Sequence, residues 1–526
     1  MKLANYVYGQ WLEGAGDGIA LQDPVTGEEL VRVSSEGIDT GRALEFARST
    51  GGPALRALGY EGRAALLGAI VEVLSAKRAE YFDIALRNSG STEADAAFDV
   101  DGAIFTLKSY ARAGKVLGPA RHLKEGARVA LAKTDAFQGQ HFLMPLSGVA
   151  VFINAFNFPA WGLWEKAAPA LLAGVPVLVK PATPTAWLTQ RMVEDVVCAG
   201  ILPAGALSIV CGSARDLLDH VGECDVVSFT GSADTAARMR THPNVVARSV
   251  RINIEADSIN SAILGPDAQP GTPEFDLAVK EIVREMTIKT GQKCTAIRRV
   301  LVPAAASRPL AAAVAAKLAS CRVGNPKSEG VRVGPLVSRA QQAAALEGLA
   351  KLREECETVF GGGGADFAPV DADPAVSAFV QPTLLYCDKG LDARYVHDVE
   401  VFGPVATIVP YADTAEAIAL ARRGRGSLVA SVYSGDAAFL AELVPGIADL
   451  HGRVMVVDAA VGANHTGHGN VMPSCLHGGP GRAGGGEELG GLRALATYHR
   501  RCVVQGGPAL LEALSRDAAD AALLGS

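Results

Sequence analysis

No Cys-x-x-Cys pair occurs in the 526 residues, and the nine cysteines are odd in number and scattered from Cys198 to Cys502. Neither a disulfide framework nor a thiolate zinc site is indicated, so a cysteine that matters here matters alone. Positive charge is also scarce: 49 Lys and Arg stand against 56 Asp and Glu, a net charge of −7. Affinity for a phosphate backbone needs a surplus of cationic side chains, which argues against a general nucleic-acid binder. Long apolar runs are missing as well. The most apolar region, Phe142 to Phe158, is broken by Pro145, Ser147, Gly148, Asn154 and Asn157, short of the ~18 uninterrupted apolar residues of a membrane span. The opening MKLANYVYGQWLEG holds no apolar run and no small-residue cleavage site, so it does not read as a secretory signal. A soluble, cytoplasmic protein is the expectation.

What is present is enough apolar material for large cores, 49% of residues against 20% charged, and disorder is excluded for most of the chain. At roughly 100 to 200 residues per domain, the length predicts about three domains, or two large ones with an appendage. Residues 36 to 118 read as helical, with apolar positions at 3.6 spacing in segments such as Arg63 to Arg78,. From Gly148 the pattern becomes short β-rich runs alternating with helical segments: GVAVFINAF, VPVLVK, ALSIVCG, DVVSFTGS and VRINIEA are the strands. That alternation predicts βαβ units and a doubly wound parallel sheet, whose ligands bind at the carboxyl ends of the strands. A second α/β series runs from about Thr272 to Ala463. Lys133 to Pro145 and Tyr498 to Gln505 fit neither series; pairing them makes a small separate sheet whose edges invite subunit pairing.

Single residues leave their chemistry open. Cys294, in GQKCTA, sits beside Gly291 and Lys293; a catalytic thiol needs exposure and help toward its thiolate, and a nearby cation supplies such help. A free cysteine is otherwise a small buried hydrophobe. Glu255 ends the strand VRINIEA; a buried carboxylate has a raised pKa and serves as a general base near neutrality, and the alternative is a solvated strand end or a helix cap. Asn157, in NAFNFP, is an oxyanion donor or a turn former before Pro159,. FTGS at 229 to 232 is either a phosphate-facing turn or a capped one,. His465, His468 and His477 beside Cys475 lie in a Gly-rich stretch without standard ligand spacing, so no metal is expected.

Taken in order, FNFP, VKPATPT, FTGS, IEADS, GQKC and EVFGPVATIV resemble the NAD(P)-dependent aldehyde dehydrogenase superfamily across essentially the whole chain. The resemblance implies that family's α/β fold, with two doubly wound parallel-sheet domains and a small oligomerisation sheet, and an even-numbered oligomer, most simply a homodimer. It implies Cys294 as nucleophile, Glu255 as general base and Asn157 as oxyanion donor beside the Cys294 backbone amide. It also implies a cofactor site made by Ile153, Phe156, Lys180, Phe229, Gly231, Ser232, Glu400 and Phe402. The expected divisions are a cofactor domain at 1–132 and 148–271, a catalytic domain at 272–470, oligomerisation segments at 133–147 and 480–510, and a tail at 511–526.

Two departures from the family pattern narrow this expectation. Where the NAD-preferring pattern has Glu three positions after the lysine, Lys180 is followed by Pro181, Ala182 and Thr183. A carboxylate repels a 2′-phosphate, and a Thr hydroxyl beside a Lys binds one, so NADP is expected over NAD. The general base is followed by ADS and not by the common LGG. The stretch HGGPGRAGGGEELGGLRALATYHRRCVVQG resembles the aldehyde dehydrogenases that act on CoA-linked semialdehydes in aerobic aromatic catabolism, of the benzoyl-CoA epoxidation and phenylacetate branches. Oxidation of 3,4-dehydroadipyl-CoA semialdehyde to the acid is the expected activity. The longer phenylacetate-derived semialdehyde and a catalytically idle homologue are the alternatives. A thiol hydrolase would need a histidine beside Cys294, and no motif places one there.

Overall fold

The computed structural model describes residues 1–214, 216–363 and 367–525. Its first large sheet runs, in spatial order, through strands Arg251–Glu255, Val226–Thr230, Ala150–Ile153, Val177–Lys180, Leu207–Ile209, Asn5–Val7 and Gln10–Leu12. The first five are parallel, and the amino-terminal hairpin closes one edge antiparallel, with Tyr6 opposite Ile209. Segments such as AVFI and VLVK are near-continuous apolar runs because helices cover both faces of a parallel sheet,. The chain steps outward from Ala150–Ile153 through the next two strands, then returns to lay Val226–Thr230 on the opposite side. That reversal opens a crevice at the carboxyl ends of Ala150–Ile153 and Val226–Thr230.

The helical layer packs on this sheet. Helix Glu93–Gly114 starts with a capping box, Thr92 and Asp95 each satisfying the other's backbone amide, and buries Ala96, Val100, Ala103, Leu107 and Tyr110 along one stripe,. It lies against helix Trp161–Ala173. The latter is buried almost all round and ends at Gly174, whose φ of 87° lies in the left-handed region that glycine enters without steric cost,. Each fully buried Leu or Ile of this layer contributes about 1.5–3 kcal/mol of transfer free energy.

The second large sheet has the order Glu357–Phe360, Thr383–Tyr386, Val405–Tyr411, Ile297–Pro303, Asn260–Leu264, Ser427–Tyr433 and His451–Val457. All its pairings are parallel except that of the outer strand Glu357–Phe360. Gln138–Pro145 pairs antiparallel with His499–Gly506 over eight residues of each, in a four-stranded sheet flanked by His122–Ala130 and Ala518–Asp520.

Three expected boundaries move. Asn260–Leu264 belongs to the second sheet, so the crossover between sheets falls at 256–259 and not at 271. The small sheet begins at His122 and not at 133, because the strand His122–Ala130 turns back directly onto Gln138–Pro145. The tail expected at 511–526 is structured. Residues Ala518–Asp520 pair with His122–Lys124, while position 526 lies outside the described residues. No described helix is long and apolar enough to cross a membrane.

Candidate active site

The parallel register brings the functional side chains to one level. Ile153 lies opposite Lys180 and Phe229, and Thr230 opposite Glu255, all at carboxyl ends of adjacent strands. Cys294 arrives from the second sheet. Helix Pro273–Thr287 breaks into a turn in which Lys289 (φ 49°) and Thr290 (φ 53°) occupy the left-handed region, a strain of about 1–3 kcal/mol per residue that the surroundings must hold. The Lys289 amide donates to Asp95 Oδ1 at 2.5 Å, and the Thr290 hydroxyl to the Gly334 carbonyl at 2.9 Å. Gly291 follows at φ 68°, and a Cβ there would lie 2.3 Å from the Gly403 carbonyl oxygen, so the close approach of the two segments requires glycine. Asn260 Nδ2 donates to the carbonyls of Cys294 (2.8 Å) and Ala296 (3.0 Å), and Arg298 donates to those of Gly291, Lys293 and Gly403.

One cavity is lined by Cys294, Glu255, Asn157 and His477, with Phe98, Phe158, Trp161 and Val471 as apolar walls. Cys294 Sγ, a Glu255 carboxylate oxygen and a His477 ring nitrogen lie within 4.8 Å of one another. Burial raises the Cys294 thiol well above its usual pKa, and the Glu255 charge raises it further. Burial alone would raise Glu255 too, but the His477 charge and hydrogen bond, with Lys166, outweigh it and hold the carboxyl below its ordinary range. The expected raised carboxyl is thus corrected: the site holds a carboxylate beside a neutral thiol. Such a carboxylate can accept the thiol proton.

Lys293 is not the thiol's cation. Its ammonium is buried against Glu285, at 2.6 and 2.7 Å from the two carboxylate oxygens, 1% of each side chain being exposed.

The sequence showed His477 only within a histidine group and placed no histidine beside Cys294; the fold brings His477 to both Cys294 and Glu255. Its Nε2 lies 3.0 Å from Glu255 Oε2, across 222 positions of chain. It stands in a hairpin, Leu476–Gly478 against Glu487–Leu489, whose register sets it opposite Glu488. Behind it Lys166 Nζ is paired with Glu165 (2.9 Å) and Glu488 (3.1 Å), whose charges hold the lysine above its usual pKa despite burial. The other two histidines of that stretch have partners of their own. His468 Nδ1 lies 2.6 Å from the Ser431 hydroxyl, and His465 Nδ1 accepts from its neighbour Gly467.

The crevice beside the cavity holds the remaining residues. The Phe156 and Phe402 rings meet edge-on at 5.6 Å. Glu400 Oε2 accepts from the Ser258 amide at 3.2 Å, while Oε1 is buried without a hydrogen-bond partner. Burial raises Glu400 to about 7, against the opposing charge of Arg298. Ser232 caps helix Ala233–Arg240, and the Gly231 amide donates to the Glu255 carbonyl at 3.1 Å. The first amide of that helix, on Ala233, already donates to Asp257 Oδ1 at 3.0 Å. Lys180 is half-buried, its pKa lowered by burial, and its ammonium makes no ion pair or hydrogen bond among the described residues. Thr183 opens a short 3-10 turn three positions on. The free Lys180 ammonium and Glu400 Oε1, which accepts no hydrogen bond and lies 3.8 Å from Arg298 Nε, fit a ribose- and phosphate-bearing dinucleotide, while the unpartnered Thr230 hydroxyl lines the cavity of Cys294,.

Comparison with known proteins identifies the family. The model of the aldehyde dehydrogenase family matches residues 11–499. The 3,4-dehydroadipyl-CoA semialdehyde dehydrogenase of Aromatoleum evansii is 85% identical over 480 residues, spanning 91% of this chain and 93% of that enzyme. The NADP-dependent succinate-semialdehyde dehydrogenase GabD of Escherichia coli K12 is 26% identical over 438 residues, 82% of this chain and 85% of its own. Among solved structures, betaine aldehyde dehydrogenase of Staphylococcus aureus with NAD+ superposes with a TM-score of 0.81 at 22% identity. It covers 96% of this chain and 97% of that one, a likeness of fold. The chain belongs to the aldehyde dehydrogenase family and is an aldehyde-oxidising oxidoreductase.

Proposed function

We propose that this chain oxidises 3,4-dehydroadipyl-CoA semialdehyde to the corresponding acid with NADP, as a cytoplasmic step of aerobic benzoate catabolism. The observation that carries the reading is the 85% identity, over nearly the full length of both chains, to an enzyme named for that substrate. The apolar cavity walls formed by Phe98, Phe158, Trp161 and Val471 suit the carbon chain of such an aldehyde.

In this reading the Cys294 thiol gives its proton to Glu255 and Sγ adds to the aldehyde carbon. The Asn157 amide and the Cys294 N–H hold the resulting oxyanion. Bound oxidised nicotinamide supplies the hydride acceptor. The thiohemiacetal on Cys294 thereby becomes a thioester. Glu255 releases that first proton to solvent and then takes one from water, which attacks the thioester carbon; the acid leaves, and the proton on Glu255 passes to Sγ to restore the thiol. Ile153, Phe156, Lys180, Thr183, Phe229, Gly231, Ser232, Glu400 and Phe402 would hold the cofactor. Thr183 and Lys180 together favour NADP, since position 183 carries no carboxylate to repel a 2′-phosphate.

The units 1–121 with 146–258, 259–475 and the four-stranded sheet are the proposed cofactor, catalytic and oligomerisation parts. Support for a homodimer comes from the small sheet, where His499–Gly506 is an edge strand and Met144 and Val503 are exposed apolar residues,.

The test is the appearance of reduced nicotinamide absorbance with NADP or NAD, on the CoA-linked semialdehyde and its CoA-free counterpart, with Cys294→Ala as control. Reduction of NADP with the CoA-linked aldehyde, abolished in the variant, is expected. Equal turnover without the CoA moiety would reject the substrate assignment, and no turnover with any aldehyde would point to an idle homologue.

A further inference from the structure

We propose that His477 is the positioning residue of the general base: its Nε2–H ties one oxygen of Glu255 so that the other faces the Cys294 thiol and the water that later replaces it. This rests on the reading above of Cys294 as nucleophile and Glu255 as base.

The geometry divides the carboxylate in two. Oε2 is 3.0 Å from His477 Nε2, while Oε1 is buried without a hydrogen-bond partner beside the same cavity. A carboxylate anchored at one oxygen loses its freedom to rotate and keeps a free lone pair for the proton it must take. The anchor is itself held. His477 is one strand of a short hairpin, and its register partner Glu488 accepts from Ser228 Oγ (2.9 Å) and Asn253 Nδ2 (3.0 Å) through Oε1. Ser228 and Asn253 sit on the first-sheet strands that end at Thr230 and Glu255. The hairpin carrying the imidazole and the strand carrying the carboxylate are therefore locked together two residues below the site. Both side chains are less than 10% exposed, so water does not compete for the bond.

The charged and titratable groups facing His477 are Glu255 and Cys294 across the cavity, Glu165 and Lys166 from helix Trp161–Ala173, and Glu488 from its own hairpin. Arg453, on the neighbouring strand, is turned to the carbonyls of His468 and Asn470. Three carboxylates against one lysine leave the cluster short of positive charge. The imidazole is accordingly pulled toward its cationic form, although burial opposes this. An imidazolium donor also holds Glu255 ionised.

The experiment compares His477→Phe, His477→Gln and Glu255→Gln in the full chain. It measures kcat and KM for the aldehyde and for NADP across pH, with NADP affinity by fluorescence as a check that each variant is folded. Losing a hydrogen bond to a charged group predicts a fall in kcat of about 10- to 100-fold in His477→Phe. Its KM for NADP should stay near wild type and its acid limb should move to higher pH, because Glu255 is no longer held as an anion. His477→Gln, which keeps a donor, should recover much of that kcat. Unchanged kcat and acid limb in His477→Phe would overturn the proposal, and so would equal losses in the Phe and Gln variants. Wild-type turnover in Glu255→Gln would instead remove the reading beneath it, whatever the His477 variants do.

Discussion

Asn260 holds Cys294 by its backbone. The Asn260 side chain uses every hydrogen-bonding position it has. Nδ2 donates to the Cys294 and Ala296 carbonyls, and Oδ1 accepts from the Ser258 hydroxyl (2.7 Å) and the Val429 amide (3.0 Å). One fully buried amide thus joins the nucleophile's turn to two strands of the second sheet and to the segment that follows Glu255. Asn260→Ala leaves these partners unpaired in the interior. It should cost about 4 kcal/mol or more in denaturant unfolding, at roughly 1–3 kcal/mol for each of the four abandoned groups, and slow alkylation of Cys294. A variant as stable and as reactive as wild type would contradict this.

The Lys293–Glu285 pair gives a second expectation, motivated by its complete burial. Lys293→Met strands a buried carboxylate and should destabilise by about 3–5 kcal/mol. The double variant Lys293→Met with Glu285→Leu, similar in volume and uncharged, should recover most of that loss. Thermal unfolding of the three proteins decides it, and a double variant no better than the single one would show that the pair is not the source of the cost.

Cofactor affinity should depend on Glu400. Its carboxyl is raised to about 7 by burial. Below that pH it is neutral, and above it a carboxylate able to accept ribose hydroxyls. NADP should therefore bind more tightly as pH rises from 6 to 8. In Glu400→Gln the binding should be weaker and flat over the same range. Titration of protein fluorescence with NADP at each pH is the measurement, and an equally steep dependence in the Gln variant would assign it to another group.

Thr183→Glu tests the cofactor preference. Lys180 makes no ion pair among the described residues, so a carboxylate introduced three positions on would compete with a 2′-phosphate for that ammonium and repel the phosphate as well,. kcat/KM should fall by about 10- to 100-fold with NADP and less with NAD, the size of one like-charge contact at intermediate dielectric. Equal losses with both cofactors would separate Thr183 from the 2′-phosphate.

The small sheet carries the last expectation. Its exposed edge, with Met144 and Val503 uncovered, predicts a dimer by sedimentation. Val503→Lys should weaken that dimer, and a wild-type protein that sediments as a monomer would reject the assignment.

Alternating apolar runs made the two parallel sheets legible, and the ordered motifs around Asn157, Glu255 and Cys294 marked those residues before any coordinates. Both signals are local: period and motif survive in one dimension. Asn260–Leu264 was not legible as a strand of the second sheet, because a run of five buried residues says nothing about which sheet takes it. The partner of Lys293 was misjudged for a similar reason. Adjacency in sequence put it beside Cys294, but the backbone turns at Lys289 and Thr290 and points its ammonium at Glu285. The sign of the Glu255 shift needed the third dimension too, since burial raises a carboxyl and only a neighbour's charge reverses that. That neighbour, His477, lies 222 residues away within a glycine-rich stretch. Its place beside Glu255 is decided by how one hairpin packs on the end of a sheet. The sequence determines which residues have the chemistry, while the charge state of the thiol and its base is set by contacts that only folding brings together.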